Sequence, residues 1–189
     1  YYNDYSNLLG SDLAAAGGLG TADLFNGGEA IAKGIELEAT YDPMHNAGIG
    51  INMPISLVYT YTDARFGSNF ESDFGAWGDV QDGFHLPYTP RHQLALSFSL
   101  EHSKFLFDIS GKYNGAMLAR AGLFEDASVA RTDGYFTADI SLNYRLTPII
   151  SAFANVNNLT DAVYVTSLRP AGLRPGLPRT FNFGLKANF

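Results

Sequence analysis

The stretch Phe181-Asn182-Phe183-Gly184-Leu185-Lys186-Ala187-Asn188-Phe189 decides the fold. Phe181, Phe183, Leu185, Ala187 and Phe189 alternate with Asn182, Gly184, Lys186 and Asn188, so an extended chain puts the apolar residues on one side and the polar ones on the other. The same period of two recurs upstream. Phe136, Ala138, Ile140, Leu142 and Tyr144 alternate with Thr137, Asp139, Ser141 and Asn143. Phe105, Phe107, Ile109, Gly111 and Tyr113 alternate with Leu106, Asp108, Ser110 and Lys112. Shorter cases run through Leu94–Leu100, Leu57–Tyr61, Ile35–Tyr41 and, more weakly, Ile150–Val156, and a partial strand opens the chain near Tyr1–Leu8. The reading is all-β, with about eight strands.

The connections alternate too. Short turns are expected at Asp42-Pro43, His102-Ser103-Lys104 and Leu146-Thr147-Pro148, and long Gly- and Asp-rich loops near residues 9–29, 66–88, 116–134 and 166–178. Loops of that length are uncommon in compact domains unless they carry function. An antiparallel up-and-down meander, with turns at one rim and loops at the other, accounts for the pattern.

Composition narrows the class. The 189 residues include 12 Lys+Arg and 19 Asp+Glu, a net charge of −7, with 14% aromatic residues, 16% charged residues and no cysteine. The acidic balance lacks the basic stripe of a nucleic-acid binder. Without cysteine there is no disulfide framework, thiolate metal site or thiol nucleophile. No apolar run reaches the roughly 20 residues of a membrane helix, and Tyr1-Tyr2-Asn3-Asp4-Tyr5 lacks the basic start and apolar core of a signal peptide. A membrane barrel escapes such a search, because alternation hides its apolar face.

Two details place that face outside, against lipid, rather than inside a soluble barrel. Aromatic residues recur eight positions apart on it, at Phe105/Tyr113, Phe136/Tyr144 and Phe181/Phe189. At about 3.3 Å per residue and a tilt near 40°, that separation is roughly 20 Å of height, near the roughly 25 Å band between two aromatic girdles. The opposite face carries Asp108, Lys112, Asp139, Arg145 and Lys186, charges that a wet lumen tolerates and a dry core does not. The fold class is therefore an antiparallel transmembrane β-barrel.

Several stretches resemble TonB-dependent outer-membrane receptors. Asn155-Val156-Asn157-Asn158-Leu159-Thr160-Asp161 is similar to that family's V-x-N-L-F-D strand end, with Thr160 where Phe is usual. Arg174-Pro175-Gly176-Leu177-Pro178-Arg179-Thr180-Phe181 resembles the P-R approach to the last strand, and Phe189 the terminal aromatic read by the outer-membrane assembly machinery. Lys33-Gly34-Ile35-Glu36 and Pro90-Arg91-His92-Gln93 resemble mid-barrel strands. The long Arg/Pro/Gly loop before the last strand leans towards the ferric-citrate or siderophore branch. The resemblance implies a plugged barrel of roughly 22 strands, of which residues 1–189 would be the C-terminal third or so. The N-terminal plug domain and the TonB box have no counterpart in these residues. The implied partners are a ferric chelate, the plug and remaining barrel of the same receptor, the TonB complex through the N-terminal part, and outer-membrane lipids. The implied location is the bacterial outer membrane.

Candidate chemistry is sparse. His45, His85, His92 and His102 lack metal-ligand spacing and read as turn or rim residues, while Asp79, Asp82 and His85 share a loop that solvent or a cation would suit. Glu36, Glu38, Asp108 and Asp139 face the lumen without any sign of paired acid–base work. There is no nucleophile elbow or triad order, so no catalytic residue, metal site or cofactor is expected. Asn158-Leu159-Thr160 is a glycosylation triplet without meaning in a bacterial outer membrane. Arg65, Arg91, Arg120, Arg131, Arg169, Arg174 and Arg179 lie in or beside the long loops. Their guanidinium forks suit carboxylate-rich ligands such as a ferric citrate chelate, although neighbouring Asp and Glu or lipopolysaccharide phosphates are equally natural partners. Arg120, Arg131, Arg169 and Arg174 are the ligand-binding candidates.

Three functions of different classes follow. The first is an active-transport receptor that takes up a ferric chelate, and the second a self-contained eight-stranded barrel with a structural or adhesion role. The third, an outer-membrane hydrolase, is disfavoured because no triad residues cluster.

Overall fold

The computed structural model describes residues 1–11, 21, 23–45, 48–169 and 172–188. Eight strands form one continuous antiparallel path: β1 (Tyr2–Tyr5), β2 (Ala30–Tyr41), β3 (Ile55–Phe66), β4 (His92–His102), β5 (Phe105–Asn114), β6 (Tyr135–Arg145), β7 (Ile150–Asn157) and β8 (Thr180–Ala187). Each pairs with its sequence neighbour, and the described residues contain no helix. Ile51–Asn52 adds a ninth, short strand that pairs with the end of β4 at His102 and Glu101. All eight sequence-predicted strands are present.

Register carries the alternation across the sheet. Ile109 lies between Phe98 and Ile140, Phe107 between Leu100 and Leu142, and Tyr113 between Leu94 and Phe136. Val156 faces Phe181, and Ala154 faces Phe183. The residues predicted to face lipid (Phe105, Phe107, Ile109, Phe136, Ile140, Leu142, Phe181 and Phe183) therefore share one face; Phe189 lies outside the described residues. That face is bare, with Phe183 at 82% exposure and Ile35, Leu96, Phe181 and Leu185 also exposed. Burying one such side chain is worth about 1.5–3 kcal/mol, so a face this apolar needs lipid rather than water against it.

Small residues seat large ones along the sheet. A β-carbon on Gly111 would lie 2.8 Å from the Phe136 ring, and one on Gly184 equally close to the Phe153 ring, so each glycine leaves room for an aromatic on the adjacent strand. The apolar stripe ends on β2 and β3 at the cross-strand pairs Lys33/Asp63 and Ile31/Arg65, next to Tyr61. Tyr59 and Tyr61 meet His92 there; the Tyr59 hydroxyl is 2.9 Å from His92 Nδ1, and the Tyr61 and His92 rings are 5.2 Å apart. Tyr–His contacts and the first charges mark one edge of the apolar band, as an interfacial belt requires.

Two of the three predicted short turns are tight. Ser103 and Lys104 link β4 to β5, with Ser103 at φ +51°, and residues 146–149 link β6 to β7 around the Thr147 hydroxyl. The turn at Asp42-Pro43 is longer than expected. Asp42 accepts hydrogen bonds from the amides of Met44 and Met53, closing a connection that runs from residue 42 to residue 54. The four long connections join the opposite ends of the strands, and the buried core lies there, not in the middle of the sheet.

Candidate functional site

Each long connection holds one short antiparallel strand pair of its own. These pair Leu9–Ser11 with Leu24–Asn26, Phe70–Ser72 with Gly78–Val80, Met117–Leu118 with Arg131–Thr132, and Val165–Ser167 with Arg174–Pro175. The first two close over an aromatic cluster. Trp77 meets Phe66, Phe70 and Phe74 edge-on, with ring centroids 5.6, 5.8 and 5.3 Å away. Glycines at positions 10 and 27 make the seat for the indole, since a β-carbon at either would approach its ring to 2.5 or 2.7 Å. Ala30 and Phe66 belong to the same buried cluster, so it grows from the ends of β2 and β3 on the polar side of the sheet.

Against this cluster lies a cleft of about 350 Å³. Its walls come from three separate connections: Gly75, Trp77, Asp79 and Phe84 between β3 and β4, Arg120, Leu123 and Asp126 between β5 and β6, and Arg169 between β7 and β8. Arg169 reaches in because Gly75 has no side chain; a β-carbon there would lie 2.6 Å from Nη1. Ser167 holds the backbone at this point, its hydroxyl donating to the Arg169 carbonyl at 2.8 Å. Neither the Arg120 nor the Arg169 guanidinium has a hydrogen-bond or ion-pair partner among the described residues. Asp126 opposite them is held below the usual carboxylate range by hydrogen bonds from Ser128, with Arg120 assisting.

Of the four candidate arginines, the fold brings together Arg120 and Arg169 and not the other two. Arg131 donates from Nη1 to the Phe124 carbonyl at 2.9 Å, and Arg174 lies in the last small hairpin, its carbonyl accepting from Thr166. Arg65 pairs with Asp63 at 2.9 Å and Arg179 with Asp161 at 3.3 Å, so for these two the neighbouring-carboxylate reading holds.

His85 is not an open rim residue. It is 3% exposed, bridging β3 at Arg65 and the next loop at Gly122. Its ring sits with Nδ1 3.2 Å from the Gly122 carbonyl and Nε2 against Arg91 Nη2, an arrangement that suits the neutral imidazole. Asp63 lies 3.6 Å from Nε2, but burial first, then Arg91 and Arg65, outweigh it and hold the His85 pKa below 6.5. The Arg91 guanidinium stacks on Phe124 at 4.4 Å. Asp79 lines the cleft while His85 faces away to Asp63, so the suggested Asp79/Asp82/His85 cation loop does not assemble. No metal-holding group of His and carboxylates occurs among the described residues.

Asn158, recognised in the sequence only as part of a motif, is a structural hub. It is 4% exposed at φ +51°, a conformation Asn tolerates better than most residues. Its Nδ2 donates to the carbonyls of Ala162 (2.9 Å) and Leu177 (3.1 Å). Its Oδ1 accepts from the Ala162 amide (2.9 Å) and the Thr160 hydroxyl (3.1 Å), while its own amide donates to Asp139 (2.8 Å). The connection carrying Arg169 is thus tied to β6 at its root.

Below the loops the polar face is concave. A hollow of about 540 Å³ is lined by side chains that include Thr60, Gln93, Lys112, Thr137, Asp139 and Asn157. Asp108 on this face accepts from Ser99 at 2.6 Å. The arrangement offers hydrogen bonds and scattered charge along a wall, with Arg120 and Arg169 in the loops at its end.

Residues 1–159 match the model of the family described as TonB dependent receptor-like, beta-barrel. The catecholate siderophore receptor Fiu of Escherichia coli (strain K12) is 37% identical over 108 residues, which are 54% of this chain and 14% of that receptor. The siderophore receptor PiuA of Acinetobacter baumannii superposes with a TM-score of 0.70 at 18% identity, covering 98% of this chain and 25% of PiuA. The unliganded ferric citrate transporter FecA gives 0.63 at 19% identity, over 84% of this chain and 24% of FecA. The chain spans about a quarter of these solved receptors. An apolar exposed face, a polar concave face and a family match over most of the length agree: the chain belongs to the TonB-dependent receptor family of bacterial outer-membrane transport proteins, within the β-barrel.

Proposed function

We propose that these residues are the C-terminal part of the barrel of an outer-membrane receptor that takes up a ferric chelate with energy supplied through TonB. A plug domain and the remaining strands of the same receptor then complete it. The observation that carries this reading is the division of faces in a chain of this family. Lipid takes the Phe183 side, while the Thr60–Asn157 side forms a wet wall beneath loops that present Arg120 and Arg169. Arg120 and Arg169 are the proposed ligand contacts; the chain has no catalytic role. A self-contained eight-stranded barrel would need β1 to pair with β8, and the described strands show no such pairing.

The test is growth. Cells lacking the receptor that carries this chain are grown under iron limitation on catecholate, hydroxamate and citrate chelates of iron. Loss of growth on at least one chelate, restored by the receptor, supports the reading. Normal growth and iron content on all of them refutes it.

A further inference from the structure

Residues 84–88 run between β3 and the connection from β5 to β6, and they are hydrogen-bonded on both sides. Towards β3, the Phe66 amide donates to the Phe84 carbonyl at 2.8 Å and the Leu86 amide to the Ala64 carbonyl at 3.0 Å. Towards the other connection, the His85 amide donates to the Gly122 carbonyl at 2.8 Å and the Tyr88 amide to the Leu118 carbonyl at 2.9 Å. The second set of bonds holds the connection that carries Arg120. The buried His85 side chain is the centre of this joint. Around it stand Asp63 and Arg65 from β3, Arg91 from the approach to β4, and the Gly122 carbonyl and Phe124 ring from the connection between β5 and β6.

Nδ1 faces the Gly122 carbonyl and so carries the proton, which leaves Nε2 to accept from Arg91 Nη2. A second proton, on Nε2, would set donor against donor. Asp63 does not repair this, because it lies 3.6 Å from Nε2 and already holds Arg65 Nε at 2.9 Å. Arg91 has no carboxylate partner among the described residues; its Nε is buried without an acceptor, and its guanidinium rests on Phe124. A charged His85 would be the third cation around one carboxylate. We propose that His85 is a pH-sensitive latch: neutral, it fastens the Arg120 connection to β3 and Arg91, and protonated, it releases that connection. Burial first, then Arg91 and Arg65, depress the His85 pKa, which agrees in sign: the open joint takes up a proton more readily than the closed one. As a control on Arg120 the latch rests on the uptake reading; as a joint it stands on this geometry alone.

The experiment measures amide hydrogen exchange in the full receptor without any chelate, at pH 7.5 and pH 5.0, with the intrinsic pH dependence of exchange divided out. The reporters are the Tyr88 amide and the Ala121 amide, which bonds the Ala76 carbonyl at 2.8 Å; the Ala162 amide, bonded to Asn158 Oδ1, is the reference. With an ordinary pKa of 6.5 in the open joint, protonation favours opening by at most about 30-fold between these two pH values. Tyr88 and Ala121 should therefore lose protection about tenfold or more in acid while Ala162 keeps its own. His85→Gln, which still offers an N–H to Gly122 and does not titrate, should show equal protection at both pH values. Arg91→Gln removes a neighbouring cation and should shrink the loss, which keeps the test decisive if His85→Gln fails to close the joint. Protection at Tyr88 and Ala121 that is indifferent to pH, a loss undiminished in both variants, or an equal loss at Ala162 overturns the latch and leaves the uptake reading standing. Failure of the growth test removes the latch's part in ligand capture and leaves the joint itself intact.

Discussion

Replacing Asn158 by Ala should open the connection that carries Arg169. Four hydrogen bonds end on the Asn158 side chain, linking it to Ala162, Leu177 and Thr160, and Asn158 itself is 4% exposed. Each is worth about 0.5–1.5 kcal/mol net, and a buried partner left unpaired costs more. Forcing Ala to φ +51° adds about 1 kcal/mol. Allowing for non-additivity and for water entering the vacated site, a local loss of about 3 kcal/mol is expected, which raises the open population on the order of 100-fold. Hydrogen exchange reads this directly at the Ala162 amide, which bonds Asn158 Oδ1, and at the Gly176 amide, which bonds the Tyr164 carbonyl. Asn158→Gly should open less than Asn158→Ala, because it relieves the torsion while losing the same bonds. Exchange at Ala162 and Gly176 that stays at the unsubstituted rate in the Ala variant would refute the hub.

The other expectations concern the faces, the seats and the rim. Phe183→Arg should cost about 2–4 kcal/mol of folding stability in lipid vesicles, as a charge on the lipid side does, while Asn182→Arg on the polar face should cost far less; equal costs would contradict the assigned faces. Gly184→Ala should lower stability because its β-carbon meets the Phe153 ring at 2.8 Å, and Phe153→Leu in the same chain should recover part of the loss in a urea titration. The His85 pKa is held below 6.5, so the unfolded rim takes up a proton before the folded rim does; stability is full above pH 6.5 and falls as pH drops below it. Proteolysis of residues 115–134 should therefore quicken between pH 7.5 and pH 5, and His85→Phe should flatten that dependence.

Period-two alternation exposed every long strand because one face meets lipid and its neighbour meets polar surroundings, so each residue from Phe105 to Tyr113 or Phe181 to Ala187 carries the signal. The signal stops where both faces leave the membrane. Lys33, Asp63 and Arg65 follow the strand geometry without the apolar pattern, so the extension of β2 back to Ala30 and of β3 on to Phe66 was not legible. Short hairpins such as Leu9–Ser11 with Leu24–Asn26 are too brief for any period. The site was legible as arginine-rich loops and no further. Gly75 and Arg169 are 94 positions apart, 169 − 75, and only the folded loops make the small residue a socket for the large one. Arg131 resembles Arg120 in sequence terms, yet the Phe124 carbonyl claims its guanidinium. His85, too, reads as a loop histidine until β3 and the next loop close on it.

Accumulation of radiolabelled iron tests the central claim most directly. Cells with and without the receptor that carries this chain are supplied with the iron complex of a catecholate chelate, with and without an uncoupler that collapses the proton gradient. The account predicts accumulation only when both the receptor and the gradient are present, reduced by Arg120→Ala with Arg169→Ala while the receptor still assembles. Equal accumulation in receptor-free cells, or accumulation that survives the uncoupler, would contradict an energised uptake receptor.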